Sequence, residues 1–61
     1  MMKKETILRI KDKLRIALNW NNDKNVKVML LQCLIIIDNN LENYENVVEY
    51  NRKLNRISEE E

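Results

Sequence analysis

Residues 26–37 read VKVMLLQCLIII, a run broken only by Lys27 and Gln32. Stepping 100° per residue with Leu30 at zero puts Val26, Leu30, Cys33, Leu34 and Ile37 within about 60° of zero. Met29 and Ile36 fall at about −100° to −120°, and Val28, Leu31 and Ile35 at about 100° to 160°. The run is therefore apolar almost all the way round. A helix of that kind has to be surrounded. Its β-branched residues also suit a buried strand, but no second strand candidate exists to pair with it, so a helix is the expectation.

Working towards the N-terminus, residues 19–25 read NWNNDKN and form the strongest breaker in the chain. Asn and Asp side chains hydrogen-bond their own backbone and compete with helix. Asn22, Asp23 or Asn25 is then placed to cap the next helix. Before the breaker, Ile7, Ile10, Leu14, Ala17 and Leu18 recur at helical spacing, which predicts a first helix over 3–20. Towards the C-terminus, Leu41, Tyr44 and Val48 continue the Leu30–Leu34–Ile37 stripe. A neighbouring stripe of Val47, Tyr50, Leu54 and Ile57 takes over from it, a slip of the kind a stammer makes in a coiled coil. Asp38-Asn39-Asn40 interrupts this half, and Asn39 followed by Glu42 makes a weak capping box. Because the stripe runs through in phase, the pattern favours one long second helix over 25–57, with a three-helix chain broken at 38–40 as the alternative. Residues 58–61, Ser-Glu-Glu-Glu, are expected to fray, since acidic groups repel the negative end of a helix.

Composition supports an all-α chain. Gly and Pro are both absent, so tight hairpin turns and glycine-dependent phosphate loops are not expected. A domain of 61 residues buries only about 60% of its unfolded surface and needs a staple. One cysteine makes no intrachain disulfide, and no histidine is present for a structural zinc site. Association with another chain is the staple that remains. The net charge of +1 hides an asymmetry: residues 1–31 hold eight basic and three acidic side chains, residues 32–61 three and seven. Halves of opposite sign attract if the chain folds back. The charged start and the position of the apolar run do not match a secretion signal, the run is too short to span a bilayer, and a lone thiol suits a reducing compartment. A cytoplasmic protein is the expectation, and ten Asn among many Lys, Ile and Glu suggest a low-GC bacterium, its phage or a plasmid.

Catalysis has little to work with. Without histidine there is no Ser-His or Cys-His pair, and Thr6, Ser58, Tyr44 and Tyr50 are the only hydroxyl-bearing residues. Asp38, Glu42, Glu45 and Glu49 form an acidic line spaced 4, 3 and 4, which reads as a divalent-cation site or, more simply, as a solvated face. Cys33 falls on the core side and reads as a small buried hydrophobe. Trp20 is expected to cover the open end of the core. Asn40, Asn43, Asn51 and Asn55 lie at or beside core-facing positions, where a buried Asn fixes register. In architecture alone the hairpin layout resembles plasmid copy-control RNA binders and sporulation phosphatases. The phosphatases carry Ser-Gln-Glu-Leu-Asp, whereas the nearest stretch here, Leu31-Gln32-Cys33-Leu34-Ile35, lacks the serine and both acids.

These readings converge on a two-helix hairpin that associates into a helical bundle. The expected function is that of a small non-enzymatic interaction protein that self-associates and binds a protein partner, as a regulator or inhibitor. No cofactor, metal or membrane is implied. The surface left without cover is expected at Val28, Leu31, Ile35, Ile36, Tyr44, Val47, Tyr50, Leu54 and Ile57. The alternative is nucleic-acid binding by the basic first helix through Lys4, Arg9, Lys11, Lys13 and Arg15, with Trp20 stacking on a base.

Overall fold

Three helices account for nearly all of residues 3–59, the residues that the computed structural model describes. They are α1 (Lys4–Trp20), α2 (Lys24–Asn40) and α3 (Tyr44–Glu59), with no strand among the described residues. The expectation of an all-α chain holds, and the single helix over 25–57 does not: the chain breaks and turns back. The break falls at 41–43, just beyond the 38–40 of the three-helix alternative. Ser58 and Glu59, expected to fray, continue α3, while Glu60 and Glu61 lie outside the described residues.

The first turn follows the Asn/Asp cluster. Asn21 leaves α1 in extended conformation and donates its N–H to the Ala17 carbonyl. Its side-chain oxygen accepts from the Asp23 N–H at 2.8 Å. Asp23 is the N-cap of α2, its carboxylate accepting from the N–H groups of Asn25 and Val26 at 2.9 and 3.2 Å. Two helix-terminal donors that would otherwise be orphaned are satisfied this way.

The second turn is a Schellman motif. The Glu42 N–H reaches the Asn39 carbonyl at 3.2 Å and the Asn43 N–H reaches the Asp38 carbonyl at 2.8 Å. Glu42 takes the left-handed position, at φ 62°. That position normally goes to Gly, or to Asn among the other residues, because a Cβ crowds the carbonyl there. The apolar contact that usually closes such a motif is replaced here by a polar one, Asn43 Nδ2 donating to Asp38 Oδ1 at 3.2 Å. The Asn43 carbonyl accepts from the N–H groups of Asn46 and Val47, so one residue ends the motif and begins α3.

α2 is the central element. It packs against both α1 and α3, whose backbones do not approach each other closely. Leu31 and Leu34 of α2 and Tyr50 of α3 form the core, with Leu14, Leu18, Ile35, Leu54 and Ile57 packed around it. This explains why α2 carries apolar residues on most of its circumference: it has two neighbours to meet. The bundle measures 38 × 22 × 15 Å. No helix of the described residues is long and apolar enough to cross a membrane.

Candidate functional site

The most buried polar group among the described residues is Asp38, in the last turn of α2. Its side chain is wholly covered, and Lys11 of α1, 7% exposed, donates from Nζ to its Oδ1 at 2.7 Å. Asn43 donates to the same oxygen. The other oxygen, Oδ2, is buried without a hydrogen-bond partner among the described residues. Tyr50 completes the group. Burial raises its hydroxyl pKa above the usual value of 10, the nearby Asp38 charge raises it further, and Lys11 and Arg15 partly offset the rise. Lys11, Asp38 and Tyr50 come from three different helices, so the set ties the whole bundle at one point. It is sealed from solvent, which suits it to holding structure rather than to meeting a substrate.

Sequence reasoning placed Lys11 on the basic face and Asp38 in the acidic line, and the structure turns both inward. The acidic line is accordingly divided: Asp38 is buried, Glu42 lies in the turn, and Glu45 and Glu49 stand exposed on α3, where Glu49 meets Arg52 at 3.5 Å. No group of three potential metal-binding side chains occurs among the described residues. A signal for the buried pair was present. Lys11 sits in phase with Ile7, Leu14 and Leu18, at spacing 4, 3 and 4, so it belongs to the inward stripe of α1.

The other residues singled out from sequence fall in distinct places. Lys4, Arg9, Lys13 and Arg15 are exposed on α1. Trp20 does not cover the core: it is 83% exposed. Cys33 is exposed rather than buried, because the core direction of α2 is set by Leu31, Leu34 and Asp38, about 100° or more away round the helix. Of the residues expected to lack cover, Leu31 and Tyr50 are buried within their own chain, where α2 and α3 meet. Val28, Ile35, Val47, Leu54 and Ile57 are half-buried, and Ile36 and Tyr44 are exposed. Asn40, Asn43, Asn51 and Asn55 are all exposed.

Large apolar residues are exposed on all three helices: on α1, Leu8, Ile10 and Ile16 stand in solvent beside Trp20, and the outer side of α2 is open as well. Asn25, Met29, Gln32, Cys33, Ile36 and Asn40 share the face opposite the core and are all exposed. Met29 is 64% and Ile36 62% exposed. Tyr44 and Val48 are also exposed. They project from the shoulder of α3 opposite Asn46, Glu49 and Lys53, which line a cleft shared with Arg15 and Leu18 of α1. Elsewhere, an open depression of about 350 Å³ is bordered by Lys27, Lys53 and Arg56 above Leu18, Leu31 and Ile57. It brings together no acid–base pair.

No protein-family model matches the chain, and neither a curated protein sequence nor a solved structure matches it. The class the coordinates define is a small all-α bundle of three helices.

Proposed function

We propose that this is a non-enzymatic helical interaction protein, which self-associates and holds a protein partner in the manner of a small regulator or inhibitor. The observation that carries the reading is the outer side of α2, where Met29 and Ile36 stand largely in solvent with no charged residue between them. Isolated surface hydrophobes are ordinary, and an aligned pair on a chain this small supports the reading of a docking surface. The small interior, three buried hydrophobes and one ion pair among the described residues, supports the same conclusion, since association supplies the burial that a single copy lacks. A cytoplasmic setting fits the exposed thiol of Cys33. Sedimentation over a range of concentrations tests the reading. A mass above 7.4 kDa that falls on dilution is expected, and a fully helical monomer at about 100 μM, well above usual interface affinities, would defeat it.

A second reading rests on a separate observation. Trp20 stands out from the end of α1 with Arg9 and Lys13 on the same outward side, an arrangement that suits phosphate contact and base stacking. Affinity for single-stranded RNA or DNA that falls steeply with salt and is lost in an Arg9→Glu, Lys13→Glu double variant is the expected result. Absence of binding at low salt removes this reading.

A further inference from the structure

One end of the bundle gathers positive charge around an apolar floor. The depression of about 350 Å³ described above lies there, between the end of α1, the start of α2 and the end of α3. Each helix gives the floor one residue: Leu18, Leu31 and Ile57. Lys27, Lys53 and Arg56 stand around it. A hollow beside it shares Lys27 and Ile57 and adds Asn22 and Lys24. No carboxylate borders either one, although ten of the 61 residues are acidic. The other clefts differ: Glu49 accompanies Arg15 and Lys53 in one, and Glu42 and Glu45 border the hollow at the second turn.

The three cations have no side-chain hydrogen bond or ion pair among the described residues. Asp23, four residues before Lys27, turns its carboxylate to the N–H groups of Asn25 and Val26. Arg56 stands where a helix favours a cation, in the last turn of α3. Lys27 does not. It is half-buried at the start of α2, next to the positive end of that helix. An anion between the three heads reverses that penalty.

We propose that this end of the bundle binds a small amphipathic anion, an alkyl or aryl carboxylate. Its apolar body lies on Leu18, Leu31 and Ile57, and its carboxylate meets Lys27, Lys53 and Arg56. The site is separate from the outer side of α2 and does not depend on self-association. Charge-assisted hydrogen bonds hold the head, and the Arg56 guanidinium has the planar fork that matches both carboxylate oxygens. The floor disfavours small inorganic anions, and the cations disfavour neutral chains. A volume of about 350 Å³ falls within the range of about 300–1,000 Å³ for small-ligand sites, which occur between the helices of bundles. It corresponds to roughly 7 Å on a side, too narrow for a partner helix of about 10 Å diameter.

Nuclear magnetic resonance titration of the intact chain with octanoate at pH 7 tests this, with octanol and acetate as controls. Octanoate should shift the methyl signals of Leu18, Leu31 and Ile57 saturably, with half-saturation at about 0.1–1 mM. Octanol and acetate should each bind about 10-fold more weakly or worse. A Lys53→Gln, Arg56→Gln double variant should weaken octanoate about 10-fold, leave octanol unchanged and keep its helicity. Lys27→Gln alone provides the same reading should the double variant lose helicity. Octanol matching octanoate overturns the proposal, as do shifts centred on Met29 and Ile36, or variants that bind octanoate like wild type. No saturable shift up to about 10 mM, the scale of the weakest specific binding, overturns it as well and leaves the self-association reading standing.

Discussion

Lys11 and Asp38 illustrate how one residue's phase decides its role. Six basic residues lie in the first fifteen, and composition alone assigns all of them to the surface. The spacing Ile7, Lys11, Leu14, Leu18 turns Lys11 inward, whereas Lys4, in the same phase, sits at the first residue of α1 and stays exposed. The energetic test is a contrast between single and paired substitution. Lys11→Met leaves the Asp38 carboxylate buried and unpaired, which should cost about 3–5 kcal/mol and unfold a chain this small. Lys11→Met with Asp38→Leu should be near neutral or stabilising. Urea unfolding followed by circular dichroism distinguishes the two. Tyr50 gives a second check. Its raised pKa means that the folded state resists losing the phenol proton while the unfolded chain gives it up near pH 10. The stability from this source is complete below about pH 10 and is lost as pH rises through the higher folded value. Tyr50→Phe should flatten that alkaline loss, read as the shift in melting temperature between about pH 8 and pH 11.

Helix ends divide into those written in local sequence and those that are not. Asp23 opens α2 with ordinary capping chemistry, and the breaker around it was plain. Asp23→Ala should lower stability by about 1 kcal/mol, measured by urea titration. The turn at 41–43 was hidden for two reasons. The apolar stripe from Leu30 to Val48 stays in register across it, and its left-handed position is filled by Glu42, a residue type that carries no turn signal. Asn39 and Asn40, which do carry one, lie inside α2. The turn is held from a distance instead, through Asn43 binding both the carbonyl and the carboxylate of Asp38. Glu42→Gly should therefore stabilise the fold by about 0.5–1 kcal/mol, a rare case of an added glycine raising the melting temperature. Leu34→Ala should cost about 2–5 kcal/mol, and the core position of Leu34 followed from the pattern alone.

At the scale of the whole molecule, the sequence pattern predicts more apolar circumference than one chain covers, and the third helix supplies cover for most of the residues expected to lack it, leaving Ile36 and Tyr44 of that set exposed. Folding back brings α3 over Leu31, so the uncovered strip rotates to Met29, Cys33 and Ile36. Trp20 offers an optical handle on the remaining surface, being the single tryptophan. Its emission should lie close to that of the urea-unfolded chain and be quenched by iodide almost as readily. A blue shift on adding a candidate ligand would report cover over the end of α1. The arrangement of the helices also bears on speed. α1 touches α2 and α2 touches α3, while the first and third backbones stay apart, so tertiary pairing is largely between neighbours along the chain. Low contact order of this kind goes with folding in microseconds to milliseconds, which temperature-jump relaxation would resolve.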